Sequence, residues 1–206
     1  MNGYMKPQDI EKRSFEIITA ELGERTFPAG IAEVVKRVIH TTADFDYADS
    51  LAFSPDVIEK AKAALAAGAT VVTDTNMALS GVSKVTLAKL GGKAVCLMAD
   101  EQVASEAKAR GVTRAVVSME HAAKFEGPLL FAIGNAPTAL IRLHELIEEG
   151  IVAPALVIGV PVGFVNVVEA KELFIGGDTP YIIARGRKGG SNVAASIVNA
   201  LLYQMV

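Results

Sequence analysis

The 206-residue chain has a single cysteine, Cys96, so no intramolecular disulfide can brace it. Proline is sparse, at 8 residues, and glycine numbers 18, which excludes a collagen-like or low-complexity polymer. Charge of one sign is missing too: 20 Lys and Arg stand against 23 Asp and Glu, a formal net charge of -3. That balance supplies no long-range pull toward nucleic acid or an anionic membrane, so any anionic ligand has to be met by local groups. No apolar run reaches the length of about 20 residues that a membrane-spanning helix needs. No basic-then-apolar secretory start precedes Pro7, and with one cysteine the expected compartment is the reducing cytoplasm. What is present is a chain 51% apolar, long enough for one domain over 1–206 that buries roughly 70% of its unfolded surface.

From Thr70 onward, short β-branched or apolar runs alternate with stretches of helical period. The runs Thr70–Thr73, Ala94–Met98, Arg114–Met119, Leu129–Ile133, Ala155–Val160 and Tyr181–Ala184 read as strands. They are apolar throughout, as expected when helices cover both faces of a parallel sheet. Helical segments are expected near Val82–Leu90, Glu101–Arg110, Pro137–Glu149, Val165–Leu173 and Asn192–Tyr203, with Gly111 and Gly150 closing two of them. The first 67 residues show three helices, about Gln8–Leu22, Pro28–His40 and Pro55–Ala67, and no convincing strand. The predicted fold is α/β, a three-layer α/β/α arrangement with a mainly parallel sheet and an N-terminal helical layer. No linker or internal repeat divides it.

Ligands of open parallel sheets sit beyond the carboxyl ends of the strands. Those ends are rich in small and polar residues here: Asp74-Thr75-Asn76, Asp100, Ser118-Met119, Gly134-Asn135, Gly159 to Gly163, and Arg185 to Ser191. The stretch Ile133 to Leu140 (IGNAPTAL) ends a strand and starts a helix at Pro137, and its free backbone donors suit a carboxylate. An ordinary strand-to-helix turn has the same pattern. Gly159 to Phe164 (GVPVGF) permits close backbone approach but lacks the dinucleotide fingerprint. In Ala184 to Asn192 (ARGRKGGSN), Arg185, Arg187 and Lys188 precede a helix start, which reads equally as an anion cradle or a solvated basic turn; it is not a Walker loop.

In the second helix, Ile31, Val34, Val35 and Val38 take core spacing and leave Glu33, Lys36, Arg37 and His40 on the other face. Arg37 and His40 are therefore neighbours one turn apart. Two readings stay open: a solvated face whose terminal histidine favours the helix C-terminus, or an imidazole near neutrality beside a fixed cation, both facing an anionic ligand. On the first helix, Ser14 interrupts the stripe Ile10, Ile17, Ile18 with Arg13 beside it. It either bonds back to the carbonyl four residues earlier or meets a ligand. His144 is expected to be packed, His121 to sit exposed in a loop, and Cys96 to act as a small core hydrophobe. No His, Cys, Asp and Glu grouping has metal-ligand spacing, and no Gly-x-Ser-x-Gly elbow supplies a serine nucleophile.

Taken in order, seven stretches resemble the precorrin-8X and cobalt-precorrin-8 methylmutase family. They are Arg13-Ser14-Phe15 (with Lys12 where the family carries Glu), VIHTTADFDYA at Val38 to Ala48, FSP at Phe53 to Pro55, and TDTNM at Thr73 to Met77. IGNAPTAL, GVPVGFV at Gly159 to Val165, and ARGRKGGSN complete the set. The resemblance implies an isomerase of cobalamin biosynthesis that moves a methyl group from carbon 11 to carbon 12 of the macrocycle. It implies no cofactor, and a homodimer with the site close to the subunit interface. It places His40 on the catalytic histidine, and Ser14 and Arg37 on substrate-contact positions. Arg13, Asn76, Asn135, Gly159, Arg185 and Lys188 are the further candidates for binding a ring with acidic arms, and Met77, Val162 and Phe164 for facing its apolar plane. Glu169-Ala170-Lys171 departs from the family's Glu-Ser-Lys, which removes a hydroxyl there. A non-catalytic tetrapyrrole carrier is the rival reading, and a nucleotide enzyme on a doubly wound sheet a more distant one.

Overall fold

The computed structural model describes residues 6–205. Six strands form one sheet in the order β1-β6-β5-β4-β2-β3. These are β1 (Leu51–Phe53), β2 (Thr70–Thr73), β3 (Lys93–Cys96), β4 (Leu129–Ile133), β5 (Leu156–Gly159) and β6 (Tyr181–Ala184). All pairings are parallel except β1 with β6, where Leu51 faces Ala184 and Phe53 faces Ile182 in antiparallel register. The expected absence of a strand before Thr70 is thus corrected. A three-residue strand has too few positions to show periodicity, and its identity comes from the edge of β6 that it covers.

Alternate strand residues divide the core. Val71, Leu130, Leu156, Ile158 and Ile182 face one side, and pack against α1 (Pro7–Leu22), α2 (Ile31–Thr42), α4 (Val57–Ala66) and α11 (Ser191–Tyr203). On that side the short α3 (Tyr47–Ser50) leads into β1, while α5 (Asn76–Gly81) and α6 (Lys84–Lys89) join β2 to β3. Val72, Phe131, Ile133, Val157 and Ile183 face the other side, against α8 (Arg114–Ala122), α9 (Pro137–Glu148) and α10 (Val167–Glu172); α7 (Glu101–Arg110) packs beside α8 through Val103 and Val117. The result is the three-layer α/β arrangement expected.

The run Arg114–Met119, expected as a strand, belongs to α8. Its buried residues Ala115, Ser118, Met119 and Ala122 follow the i, i+3, i+4, i+7 rule, and Thr113 caps it by accepting from the Val116 amide at 3.3 Å. Val116 and Val117 hid that stripe. The helix expected near Val82–Leu90 is α6, and the unforeseen α5 precedes it; the chain bends between them where the Asn199 side chain accepts from the Ser83 amide (2.8 Å) and donates to the Gly81 carbonyl (2.8 Å). His121 is a correction as well: it lies on α8, half-buried, 2.8 Å from Glu106. Cys96, expected in the core, ends the edge strand β3 and is half-buried. His144 is packed as expected, with Phe174 edge-on at 5.5 Å.

Candidate active site

The chain reverses its direction of travel across the sheet between β2 and β4, which lie side by side. In open α/β sheets the ligand crevice falls at such a point. Here the protein fills it with its own groups. The Asp74 carboxylate at the end of β2 accepts the amides of Gly134 (2.9 Å), Asn135 (2.8 Å) and Ala136 (2.7 Å). The donors expected to await a ligand's carboxylate are therefore already occupied. Burial pushes the Asp74 carboxyl up, against the pull of those three amides. Above it, Thr75 Oγ1 and Ser191 Oγ lie 2.7 Å apart, which fixes the start of α11 over the crevice.

Closing the switch point leaves the seam between α1, α2 and α11. His40 is exposed in the last turn of α2, off the buried stripe Val34, Val35, Val38 and Ile39, as its spacing predicts. The helix stops at Ala43, a non-glycine residue in the left-handed region at φ 54°, whose amide still reaches the Ile39 carbonyl at 2.7 Å. One turn earlier, Arg37 bonds Glu11 Oε1 of α1 at 2.6 Å. Its guanidinium lies 4.7 Å from the centre of the Phe15 ring and 5.1 Å from that of Tyr203 on α11. The His40 imidazole stacks on the same Phe15, with ring centres 5.1 Å apart and planes 19° from parallel. Glu11 and Tyr203 carry no sequence signal of their own, and Phe15 stands out only as a member of the stretch Arg13-Ser14-Phe15. Glu11 and Phe15 stand four apart on one face of α1, a hint that meant nothing until α2 was known to pack there.

His40 is shared by two cavities of about 290 Å³ each. One lies between α2 and α11 and is lined by Arg37, His40, Asn192, Ser196 and Tyr203. The other lies toward α1 and is lined by Ser14, Ile17, Glu21, Ala43 and Phe45. Ser14 bonds back along its own helix, donating to the Ile10 carbonyl at 2.9 Å, yet its side chain also faces the second cavity. A hydroxyl bonded in this way keeps its lone pairs for a ligand.

The other candidates scatter. Lys188 reaches across to the turn after α2 and contacts Asp44 and Asp46, each at 2.6 Å, which holds the Asp44 carboxyl below the usual carboxylate range. Arg185 makes a two-pronged contact with Glu172 at 2.9 and 2.7 Å. Two of the three expected cradle cations are therefore neutralised within the chain, and only Arg187, exposed above Phe164 at 5.5 Å, has no carboxylate partner among the described residues. Arg13 pairs with Glu16 on the outer side of α1 at 3.0 Å. Asn76 and Asn135 are exposed at the strand ends. Gly159 is buried, and a methyl group there would meet Ile183 at 2.5 Å, so close packing already accounts for its glycine. Met77, Val162 and Phe164 are exposed as expected, at 71%, 49% and 82%. Among the described residues no group of His, Cys, Asp and Glu side chains is arranged to hold a metal ion.

This combination defines an α/β enzyme whose imidazole and guanidinium stand on a helix layer beside the sheet's carboxyl end, with exposed apolar side chains nearby. The sequence profile of the precorrin-8X methylmutase family matches residues 9–204. The chain is 46% identical to the cobalt-precorrin-8 methylmutase of Salmonella typhimurium, covering 100% of this chain and 99% of that one. It is 40% identical to the precorrin-8X methylmutase of Pseudomonas aeruginosa, over 94% of both. Its fold matches the crystal structure of precorrin-8X methylmutase from Thermus thermophilus with a TM-score of 0.88, at 39% identity over 95% of both chains. The chain belongs to the precorrin-8X methylmutase family. It is an isomerase of cobalamin biosynthesis, of the kind that moves a methyl group from carbon 11 to carbon 12 of the corrin-forming ring.

Proposed function

We propose that the methyl shift takes place against His40, with precorrin-8X or its cobalt form laid across the seam of α1, α2 and α11. The observation that carries this reading is the position of His40 on the rim shared by two cavities, one turn from Arg37. Each cavity, at about 290 Å³, is at the lower limit of a pocket for a drug-sized molecule. A broad tetrapyrrole thus lies over both, not inside either, and presents its ring to His40. The reaction breaks the bond from the methyl group to carbon 11 and forms one to carbon 12, with no atom gained or lost. His40 donates a proton, or a hydrogen bond, to a ring nitrogen while the electron pair moves, and recovers it when the product forms. Arg37 meets an acidic arm. Glu11 sets its direction, so a carboxylate on the open side completes a charge-assisted contact. Ser14 accepts within the second cavity, Asn76 and Asn135 are exposed and free to meet further arms, and Arg13 can meet one alongside its contact with Glu16. Arg185 and Lys188 contribute only if an arm displaces Glu172 or the Asp44 and Asp46 pair.

The whole chain, 1–206, acts as one methylmutase domain, because β1 of the N-terminal layer is a strand of the common sheet and α2 packs on α11. A homodimer completes the site. Exposed Ile10 (51%) and Ile17 (44%) on α1, and Phe164 and Val165 (78%) at the sheet end, are apolar surface that a second copy would cover. Among the described residues no helix is long and apolar enough to cross a membrane; the cytoplasm is the proposed location.

The test is incubation of the purified protein with precorrin-8X, and separately with its cobalt form, following the absorption spectrum of the macrocycle. Wild type converts the ring, and His40→Ala binds it without converting it. Full turnover by His40→Ala would remove this residue from the mechanism. Tight binding with no conversion by wild type would make the protein a carrier.

A further inference from the structure

Arg37 and His40 lie on the surface of α2, where a long guanidinium chain and an exposed imidazole would ordinarily sample several rotamers, each at an entropic cost when fixed. They do not stand free. The side chain of Arg37 is only 21% exposed, since Glu11, Phe15 and Tyr203 enclose it. One ring, that of Phe15, touches both functional groups: it stacks on the imidazole at 5.1 Å and lies 4.7 Å from the guanidinium carbon. Stacked and cation-facing contacts are the arrangements that an aromatic quadrupole favours. Phe15 is only half-buried, and it is absent from the buried core residues against which α1 seats Ile18 and Leu22. Nor does it line either cavity that His40 shares, and its ring is therefore behind the imidazole, away from the ring-binding side. Its contacts serve the pair on α2 more than the cohesion of the fold.

We infer that Phe15 is a positioning residue for the methyl shift, a backing plate that holds the His40 imidazole and the Arg37 guanidinium in one fixed relation. This rests on His40 acting as proposed above. The plate has to be flat and aromatic. An aliphatic side chain of similar volume would fill the space between α1 and α2 but leave the imidazole free to turn about its χ angles. Because proton delivery depends on the angle of the imidazole, its loss lowers the rate of the bound complex more than the binding of the ring.

The experiment compares wild type with Phe15→Leu, Phe15→Tyr and His40→Ala, measuring kcat and KM for the methyl shift. Alongside, proton NMR of the His40 ring reports the ring-current shift that a face-stacked Phe15 imposes. Phe15→Leu is expected to lower kcat about tenfold, the factor equivalent to one aromatic pairing, with KM within about twofold of wild type. Phe15→Tyr restores the rate. The ring-current shift of His40 vanishes in Phe15→Leu and persists in Phe15→Tyr. Should Phe15→Leu fail to fold, Phe15→Met takes its place. A wild-type kcat in Phe15→Leu overturns the inference, and so does a loss in Phe15→Tyr equal to that in Phe15→Leu, or an unshifted His40 resonance in wild type. Full turnover by His40→Ala would instead bring down the functional reading itself, and is read from a different variant.

Discussion

Lys171 gives a stability test whose size and sign both follow from the structure. Its side chain is fully buried on α10, and its ammonium donates to the carbonyls of Gly186 (2.9 Å) and Lys188 (2.8 Å) in the loop that leads to α11. No carboxylate lies within ion-pair distance among the described residues, so a charge has been taken from water for two carbonyl bonds. Burial pushes its pKa down from 10.5 to about 8, with the charge of the adjacent Glu172 pulling the other way. Between those values the unfolded chain holds a proton that the folded chain has released, and stability therefore rises with pH across that window. For a depressed lysine the cost is fully present below about pH 8 and is gone above the unfolded value. Integrated from about pH 7.5 to about pH 9.5, this one group contributes a gain of about 2 kcal/mol. Other groups titrate in the same range, so the quantity to measure is the difference between wild type and Lys171→Met, taken from urea unfolding across these pH values. Wild type should gain about 2 kcal/mol on the variant, whatever their offset at neutral pH. Parallel stability curves, within about 0.5 kcal/mol, would show that the ammonium is solvated or paired and would refute the reasoning.

Two other substitutions probe how the site is held. In Asp74→Asn, an amide NH2 is turned toward three backbone donors that now share one carboxylate, and a loss of about 3 kcal/mol in urea unfolding is expected, together with slower methyl migration; a loss below about 1 kcal/mol would mean that the three bonds do not brace the turn. Gly159→Ala drives a methyl into Ile183 and Leu140 beneath the sheet end, and should destabilise the protein by about 1 to 3 kcal/mol with KM little changed; a large rise in KM at unaltered stability would restore Gly159 as a ligand contact.

What could be read before the fold was known was what repeats along one element. Apolar runs marked five of the six strands; four of these, β2, β4, β5 and β6, are buried along their whole length, and strands buried on both faces cannot hide their composition. The helical period of α2 put Arg37 and His40 on one face outside the core, which is where they stand. The errors came where period and propensity disagree or the element is too short: Val116 and Val117 made a helix look like a strand, and Leu51 to Phe53 are a strand only because β6 has an edge to cover. The partners of two cationic candidates escape the sequence for a similar reason. Lys188 meets Asp44 and Asp46 across more than 140 positions of chain, and Arg185 meets Glu172 from another element, so their charges are spent on partners that no local pattern announces.

By itself, then, the order of residues determined the α/β class, the helix that bears His40, and the seven stretches that mark the family, since all of these depend on local spacing or on residue identity. The tertiary structure alone decided where the opening is. Asp74 and the start of α11 close the switch point that a sheet of this topology usually leaves to a ligand, and the seam of α1, α2 and α11 becomes the accessible side of His40. It also decided that Phe15 backs both functional groups. A contact between helices depends on their separation and rotation, which are set by the packing of the entire core and by no one segment of the chain.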